Sequence, residues 1–597
     1  MIILGINEGH EASAALMIDG KIVSANQEER FSKLKCDYGL PLKAIKECLK
    51  SSKVIAQDID EVAVASQLLN PVLIRLKRNA NFSIEDNIEE QEKFWKPYIL
   101  YKKKVNYWKI FRNKKFIFDK YYNFKNISNA YHDNKDMIKF RDRRIDAISN
   151  YLNVSKDIIK LYVHEECHKN YSFYFFPKRE DGLALTCESI GDYSNGSVSD
   201  IKKGKFLLKA YTKENRLGHI YKYITLLLGM KPGVHEYKVM GLAPYASSYE
   251  INKCYGVFDK ILKVSKLNLV HNKKPKDLFF HFKEKLKACR FDGIAGAVQN
   301  FVENKLLDWF LSCGTILKKD IFYFSGGVAQ NIKAGLFLSK NKSVRKIYIP
   351  PAAGDSTISI GACFLAATKY CENKNINPIK YIKSIDNLYL GYCIKEEDVR
   401  RHINKFNLSN KYKIQKNYKS QEVARMLSVG KVIGRCSGKM EFGLRALGNR
   451  SILCDPRNIN QVSKINQKIK KRDFWMPFTP TILFEDRKKY IINNKFLEDR
   501  FMSMAFETTQ KAQKEIPAAL HPADHTARPQ ILKKHHNPKY YELIRQFKKI
   551  TGVGALLNTS FNLHGLPIVC DTKDAFHVFE NSELDAILVE NYMFIKK

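Results

Sequence analysis

The sequence predicts an α/β fold in which a nucleotide-binding core is followed by a second domain. Two apolar segments, residues 322–324 and 346–349, are each predicted to be a strand that runs into a glycine-containing turn and then a helix. Backbone N–H groups at such turns form a binding site for anions. Hairpin signals occupy the same part of the chain, and 597 residues are too many for one ordinary domain.

The first third of the chain carries the strand and hairpin signals. Residues Ile2–Ile6 and Ala12–Ile18 are predicted strands, and Asp19-Gly20 is typical of a hairpin turn leading into Lys21–Ala25. Further strands are predicted at residues 61–66 and 182–188, and a second hairpin at residues 196–210.

A basic and aromatic segment interrupts this pattern between about residues 71 and 146. It indicates an amphipathic helical insertion that packs its aromatic side chains, with a nucleic-acid surface as the alternative. The predicted domains are residues 1–372, which contain the insertion, and residues 387–597, with a linker at 373–386. Strands of the second domain are predicted at residues 431–435, 451–454, 554–557 and 586–589.

The net charge of +39 suits an anionic partner. Nucleic acid and anionic membranes belong to this class, but so do small anionic substrates. Because the excess of basic residues is mostly Lys spread along the chain, we interpret it chiefly as a general feature of the composition and not as a binding surface. The N terminus has no basic region of the kind that starts a signal peptide, and no run approaches 18 apolar residues, so neither a signal peptide nor a transmembrane helix is expected.

The 13 Cys residues are odd in number, scattered and never spaced as C-x-x-C. This usage indicates reduced thiols, and neither a disulfide framework nor a zinc ribbon. We therefore expect a cytoplasmic protein.

Residues 434–452 are the most informative stretch of the second domain. They combine four glycines with the cations Arg435, Lys439, Arg445 and Arg450. Glycine lets a backbone approach a ligand closely, and guanidinium groups bind phosphate oxygens in a fork. The stretch therefore predicts a pocket for a polyanion such as a nucleotide or an acyl phosphate, with a basic surface loop as the alternative.

His164 and His168 lie one helical turn apart and can hold one metal ion. The pattern H-E-x-x-H is also the zinc protease signature, but Glu188, where a third protease ligand could be sought, ends a predicted strand. We expect a non-protease site with Asp355 as the third ligand, and two exposed helix histidines are the alternative. Fe(II), Mn(II), Co(II) and Zn(II) all suit such ligands.

His10 is a candidate general base. It lies in the loop after the first predicted strand, and a histidine side chain can take up a proton near neutral pH. A histidine that is only hydrogen-bonded within its loop is an equally good interpretation.

These segments, in this order, resemble one family, the O-carbamoyltransferases of nodulation-factor and antibiotic biosynthesis. The resemblance covers nearly the whole chain outside the insertion. The stretches that carry it are residues 9–15, 164–168, 236–245, 325–331, 351–356, 434–452, 521–530 and 558–569.

The resemblance implies an actin-like first domain of the TsaD type and a YrdC-like second domain. It also implies that the second domain forms carbamoyl-adenylate and pyrophosphate from carbamoyl phosphate and ATP. The first domain would then transfer the carbamoyl group to a hydroxyl of a small sugar-like or natural-product acceptor. The implied cofactors are a divalent metal, Fe(II) in the family, and Mg(II) for ATP. Because carbamoyl-adenylate hydrolyses in water, a closed passage between the modules is expected.

The resemblance also implies residue roles. His10 would be the base, and a metal on His164, His168 and Asp355 would polarise the carbamoyl oxygen or orient the adenylate phosphate. Residues implied to bind phosphate, nucleotide or carbamoyl groups are Arg435, Lys439, Arg445, Arg450, Arg528, Asn558, Ser560 and Asn562 in the second domain, and Asp192, Glu236, Lys238, Gly327 and Asn331 in the first.

The chain departs from the family pattern at several positions. Glu11 stands where Asp is usual, Lys439 and Leu444 replace Arg and Pro, and Met476 stands where Arg is common. The segment Glu188–Asp192 also departs from the usual Asp-Gly-x-Gly.

Three other functions are weighed against this one. The basic charge fits a tRNA threonylcarbamoyl-type modification enzyme, and the insertion fits a nucleic-acid-binding protein with a degenerate enzyme core. A metalloprotease is the third. We expect a small-molecule hydroxyl acceptor and neither membrane nor nucleic acid as partner, and a homodimer is left open.

Overall fold

The computed structural model describes residues 1–72, 74, 82–111, 121–127, 134–470 and 472–597. The chain has the predicted mixed α/β class and divides into two compact units. Unit 1 comprises residues 1–29 and 36–385, and unit 2 comprises residues 30–35 and 386–597. No sequence pattern predicted that residues 30–35 belong to unit 2.

Unit 1 begins with a five-stranded sheet of order β3-β2-β1-β4-β5. The first strand pairs antiparallel with β2 and parallel with β4, and the predicted hairpin turn at Asp19-Gly20 is confirmed, with φ of 45° and 78° at its two residues. The strands, numbered in chain order, are β1 (Ile2–Asn7), β2 (Ser13–Ile18), β3 (Lys21–Gln27), β4 (Glu61–Ala65) and β5 (Ile159–Tyr162).

A second five-stranded sheet of unit 1 repeats this plan. Its strands are β6 (Gly182–Cys187), β7 (Gly196–Lys202), β8 (Lys205–Thr212), β11 (Ile321–Ser325) and β12 (Lys346–Tyr348). The order is β8-β7-β6-β11-β12, with β6 antiparallel to β7 and parallel to β11. Unit 1 is therefore built from two halves with the same strand order and directions. A separate hairpin consists of β9 (Leu262–Ser265) and β10 (Asn268–His271).

Two helices of unit 1 pack against each other: His164–Tyr174, which follows β5, and Ile358–Asn373, which follows β12. They approach closely because Gly361 has no side chain; a Cβ there would lie 2.1 Å from the carbonyl oxygen of Cys167. The packing brings the start of the first helix next to the turn Asp355–Thr357.

The described part of the insertion is largely helical, and many of its aromatic side chains are packed together, while Tyr98 and Tyr101 are exposed. Its helices are Ile84–Glu89, Lys96–Tyr101, Tyr107–Ile110 and Asn134–Leu152, with a π-helical turn at Glu90–Trp95. Buried residues Val72, Phe82, Phe94, Tyr107 and Phe111 form one apolar cluster. The other helices of unit 1 with seven or more residues are Leu42–Ser52, Leu217–Leu227, Glu236–Leu242, Ser248–Asp259, Leu278–Lys285, Phe291–Leu317 and Ile332–Lys340.

Unit 2 contains an eight-stranded sheet of order β13-β22-β21-β14-β15-β20-β16-β19. The four predicted strands are confirmed as β14, β15, β20 and β21. The strands are β13 (Tyr412–Lys416), β14 (Ile433–Cys436), β15 (Arg450–Cys454), β16 (Thr479–Leu483), β19 (Gln530–Leu532), β20 (Ala555–Ser560), β21 (Ala586–Val589) and β22 (Tyr592–Lys596), with β17 (Ile491–Ile492) and β18 (Glu507–Thr508) as a separate pair.

Helices of unit 2 cover this sheet. Its longer helices are Glu396–Lys405, Ser420–Ser428, Pro538–Thr551 and Thr572–Glu580. A buried core that includes Ile452, Leu557 and Phe576 joins sheet and helices. Across the described ranges of both units, no helix is long and apolar enough to cross a membrane.

Candidate functional site

The candidate metal site lies where three strands of unit 1 end. His164 is the first residue of the helix after β5, and His168 follows one turn later on the same helix face. Glu188 comes directly after β6, and Asp355 lies in the turn after β12. Both histidines are buried, so the alternative of two exposed helix histidines is wrong.

The four side chains are close enough to share one ion. The Nε2 atoms of His164 and His168 are 3.1 Å apart, and they lie 3.6 Å and 3.5 Å from Oδ1 of Asp355. Nε2 of His168 is 2.8 Å from Oε1 of Glu188. Two nitrogens bound at about 2.1 Å to one metal are roughly 3.1–3.4 Å apart, so the spacing fits a shared divalent ion.

The charges of the cluster also favour a cation. Burial lowers the pKa of His168, but Glu188 and Asp355 outweigh this effect and the pKa is raised. Burial raises the pKa of Asp355, yet His164 and His168 outweigh it and the pKa is lowered. The site thus favours positive charge between two carboxylates, which a divalent ion supplies as well as a proton does.

Glycine makes room for Glu188, which the sequence suggested only as a protease ligand. Gly326 has a φ of 98°, and a Cβ there would lie 2.4 Å from Oε1 of Glu188. At the predicted nucleotide residue Gly327, a Cβ would lie 3.3 Å from the other carboxylate oxygen. A carboxylate placed directly after an apolar strand is the sequence signal that could have identified this fourth ligand.

The protease alternative does not fit the geometry. In that mechanism the Glu of H-E-x-x-H acts beside the metal as the general base. Here Oε1 of Glu165 accepts the N–H groups of Tyr193 and Ser194 at 2.9 Å and 2.5 Å, and the Ser194 hydroxyl at 2.9 Å. Glu165 therefore holds a loop.

The loop that carries His10 is tied to the turn that carries Asp355. Nδ2 of Asn7 donates to the carbonyl oxygens of His10 and Asp355, both at 2.9 Å. Oε2 of Glu11 accepts the N–H of Ser356 at 3.3 Å. Nδ1 of His10 is buried with no hydrogen-bond partner among the residues that the structure describes. The loop of the candidate base is thus held beside the turn that carries Asp355.

Asp192 lies at the metal cluster. Its carboxylate accepts the backbone N–H groups of His164, Gln67 and Leu68, at 2.8, 2.7 and 3.0 Å. Its described contacts therefore order backbone around a candidate metal ligand, and the predicted nucleotide contact stays a prediction.

The remaining predicted residues of unit 1 lie on two helix starts. Oδ1 of Asn331 caps the helix Ile332–Lys340 through the N–H of Ala334 at 3.0 Å, and its Nδ2 donates to Gln299 at 2.9 Å. Glu236 and the buried Lys238 share the helix Glu236–Leu242, and burial raises the pKa of Glu236.

The predicted residues of unit 2 collect at one edge of its sheet. β14 is antiparallel to β15, β15 to β20 and β20 to β16, and β16 is parallel to β19. The end of β14, the start of β15, the end of β20 and the starts of β16 and β19 therefore lie at the same edge. The predicted residues in or next to these strand ends are Arg435, Lys439, Arg445, Arg450, Arg528, Asn558, Ser560 and Asn562.

Glu441 shapes the glycine-rich stretch between β14 and β15. Its buried Oε1 accepts the N–H groups of Leu447 and Asn449, each at 2.7 Å, and that of Arg450 at 3.1 Å. One carboxylate thus fixes the backbone that carries the predicted cations.

Two of those cations point into this backbone. Arg450 is fully buried, and its guanidinium donates to the carbonyl oxygens of Cys570, Ser437, Asn449, Tyr392 and Gly438 at 3.0–3.3 Å. Arg435 donates to the carbonyl of Gly448 at 2.5 Å and to Oδ1 of Asn449 at 2.7 Å. These contacts favour a bracing role for both over the predicted phosphate contact.

The other predicted cations are more accessible. Lys439 is exposed, and Arg445 and Arg528 are half-buried. Asn558 is buried, and its Nδ2 donates to Oγ1 of Thr481 at 3.0 Å and to the carbonyl of Ala446 at 3.2 Å.

Lys470 is a candidate that was not predicted. Its buried Nζ donates to Oδ1 and the carbonyl of Asn562 at 2.6 Å and 3.0 Å, and to Oγ of Ser560 at 3.3 Å. Burial, with Arg472 and Lys35 nearby, lowers its pKa well below the usual value. An anion bound beside Nζ would offset this effect and stabilise the charged form, so the position favours the binding of an anion.

Two family models match the chain. Carbamoyltransferase N-terminus matches residues 2–364, and Carbamoyltransferase C-terminus matches residues 424–596. The chain belongs to the carbamoyltransferase family. It is accordingly a transferase enzyme.

Relatives of this carbamoyltransferase match over most of its length. Proteins MJ1051 and MJ1058 of Methanocaldococcus jannaschii are 30% and 29% identical, cover all of this chain, and are themselves covered to 100% and 99%. The nodulation protein NolNO of Sinorhizobium fredii is 25% identical over 98% of this chain and 79% of its own. The likeness to these proteins is therefore spread over both units.

Proposed function

We propose that this carbamoyltransferase is an ATP-dependent O-carbamoyltransferase. Unit 2 would form carbamoyl-adenylate, and unit 1 would transfer the carbamoyl group to a hydroxyl of a small sugar-like or natural-product acceptor. The observation that carries the proposal is the cluster of the buried His164, His168 and Glu188 with the half-buried Asp355, beside the loop of His10, in a chain of this family.

We further propose that unit 1 is actin-like and that unit 2 is YrdC-like. The support for the first is the repeated strand order of the two sheets, in each of which three antiparallel strands are continued by two parallel strands. The support for the second is the cation-rich edge of the eight-stranded sheet, where Lys470, Ser560 and Asn562 meet.

Two reactions account for every atom in the proposed formation of carbamoyl-adenylate. Water releases phosphate from carbamoyl phosphate, and an oxygen of the resulting carbamate attacks the α-phosphorus of ATP, displacing pyrophosphate. Apart from water, every reactant and product of these two reactions is an anion. Lys470, with Lys439, Arg445 and Arg528, would neutralise their charges and hold them for attack, with Mg(II) on the ATP phosphates.

The transfer step needs an ordered hydroxyl and a base. His10 would take the hydroxyl proton as the oxygen attacks the carbamoyl carbon, and AMP would leave with the bonding electrons. Asn7 and Glu11 hold the base and the Asp355 turn at a fixed separation.

The donor set of two imidazoles and two carboxylates suits Fe(II), the ion that the resemblance implies, and also Mn(II), Co(II) and Zn(II). A divalent ion on His164, His168, Glu188 and Asp355 would supply Lewis-acid polarisation of the carbamoyl group.

The test is pyrophosphate release by the pure protein supplied with ATP, carbamoyl phosphate, Mg(II) and Fe(II). Release that depends on carbamoyl phosphate supports the proposal, and absence of release contradicts it. Release sustained by bicarbonate and threonine would favour the tRNA threonylcarbamoyl-type function, which the charge of +39 suits. Mass spectrometry of products from a panel of sugars and aminoglycosides then identifies the acceptor. The cytoplasmic location and the homodimer stay predictions from the sequence.

A further inference from the structure

Ser66 connects the end of β4 to one of the candidate metal ligands. Its Oγ lies 2.9 Å from Nδ1 of His164, and both side chains are buried. Nε2 of the same ring faces His168 and Asp355. A neutral imidazole has one protonated nitrogen, so Nε2 can bind a cation only when Nδ1 carries the proton. That proton then has one acceptor within reach among the described contacts of the ring, the Ser66 hydroxyl.

The backbone of Ser66 is in a conformation that favours glycine. Its φ is 73°, where a Cβ is disfavoured. A strained φ of this kind persists only where the surrounding structure fixes it. The chain therefore holds a serine where the backbone alone would prefer glycine, and the difference between the two residues is the hydroxymethyl group that reaches His164.

Arg144 fixes this turn from the carbonyl side. Its guanidinium donates to the carbonyl oxygens of Ser66 and Gln67 at 2.8 Å and 3.3 Å. Nε of Arg144 donates to Glu8 at 2.8 Å, and both side chains of this ion pair are completely buried. Arg144 belongs to the helix Asn134–Leu152, which begins within the insertion.

Asp192 fixes the same turn from the N–H side. Its carboxylate accepts the N–H groups of Gln67 and Leu68, and also that of His164. One side chain therefore links the turn at Ser66 to the helix that carries two metal ligands. Held between Arg144 and Asp192, the Ser66 hydroxyl has little freedom to leave the imidazole.

We infer that Ser66 is a positioning residue for the metal site. Its hydroxyl accepts a hydrogen bond from the Nδ1–H group of His164 and so presents Nε2 to a divalent cation, while Arg144 brings a helix of the insertion into support of the same site. Hydrogen bonds of this kind to metal-bound histidines typically account for about 10- to 100-fold in metal affinity. The inference rests on the metal site of the proposed function, but its test measures metal binding alone.

Ser66→Gly is the decisive variant because it removes the hydroxyl and relieves the positive φ together. We expect its thermal stability to equal or exceed that of the parent. Its affinity for Co(II), read from the visible absorption of the bound ion in competition with a chelator, should be about 10- to 100-fold lower. If Ser66 had only a structural role, a variant of equal or higher stability would not bind Co(II) more weakly.

Two companion variants control the test. Ser66→Ala also removes the hydroxyl but keeps the strained φ, so it should lose the same affinity without a gain in stability. Ser172→Ala removes a buried hydroxyl from the helix of His164 and His168 whose described partner is the carbonyl of Lys169, at 2.9 Å. This variant should keep the parental affinity for Co(II).

The inference is overturned if Ser66→Gly binds Co(II) within about twofold of the parent, or if the parent itself binds no Co(II). Pyrophosphate release from the same preparations reports on the proposed function separately, because adenylate formation is assigned to unit 2. Normal release with unchanged Co(II) affinity would reject the role of Ser66 alone. If the parent binds Co(II) but releases no pyrophosphate, the proposed function is rejected, and the Co(II) affinities of the Ser66 variants still test the inference.

Discussion

Gly326→Ala should damage the proposed metal site through one added carbon atom. The new Cβ would lie 2.4 Å from Oε1 of Glu188 and 2.5 Å from the carbonyl oxygen of Cys187. Both distances are far below van der Waals contact, and the carbonyl belongs to β6, which is paired on both sides. The Glu188 side chain is the part that can yield, so we expect it to be displaced from His168.

The size of the effect follows from two contributions. A Cβ at a φ of 98° and a ψ of 170°, a region that essentially only glycine occupies, costs about 1–3 kcal/mol in backbone strain, and the overlap adds about 1–3 kcal/mol. Gly229 provides a control for positive φ without overlap, because it has a φ of 71° and nothing beyond its chain neighbours lies within 4 Å of the position that a Cβ would take there. Gly229→Ala should therefore cost only the strain, about 1–2 kcal/mol.

Urea denaturation followed by circular dichroism measures the stability, and Co(II) titration measures the site. We expect both variants to be less stable, but only Gly326→Ala to lose Co(II) affinity, by about tenfold or more. Equal affinities in the two variants would refute the reasoning that Glu188 is a ligand that this glycine admits.

Three further predictions follow from the same geometry. Arg450→Met should lower stability by at least about 2 kcal/mol because it leaves buried carbonyl oxygens unpaired, whereas Lys439→Met at an exposed position should change it by less than about 0.5 kcal/mol; similar urea midpoints for the two would contradict the bracing role. Apparent Co(II) affinity should rise with pH between 6 and 9, up to about tenfold per unit, because the raised pKa of His168 keeps a proton there that the ion must displace; a flat profile would be inconsistent with that proton. Glu188→Gln should weaken Co(II) binding without altering pyrophosphate release. A loss of release would contradict the assignment of Glu188 to the transfer step.

Local patterns predicted the parts of the fold that depend on neighbouring residues. The antiparallel strands β1, β2 and β3 follow from successive apolar runs, with an Asp-Gly turn between β2 and β3, and these segments are contiguous in the chain. The repeated strand order of unit 1 could not be predicted in this way. It depends on pairs such as β1 with β4, and β4 with β5 across the whole insertion, and no single segment encodes such pairing.

The candidate site divides along the same line. His164 and His168 share a helix face, and Asp355 lies in a turn at a strand end, so spacing and context indicated them. Glu188 and Lys470 gain their roles only from what the fold brings beside them. In the sequence alone, Glu188 is a carboxylate at the end of a predicted strand, and Lys470 is one lysine in a chain rich in lysine.

Arg435 and Arg450 show a second reason why the sequence alone does not determine the role of a residue. A guanidinium group binds carbonyl oxygens and phosphate oxygens with the same donors. The residue types around Arg435 and Arg450 therefore suit either partner, and the deciding fact is the backbone that surrounds them in unit 2.

The central claim, that unit 2 makes an activated carbamoyl group and unit 1 transfers it, is tested most directly by two variants assayed for both steps. With an acceptor present, pyrophosphate and carbamoylated product are measured for His168→Ala and Lys470→Met. The account predicts that His168→Ala releases pyrophosphate but makes no product, and that Lys470→Met releases no pyrophosphate. Loss of the same single step in both variants would contradict it.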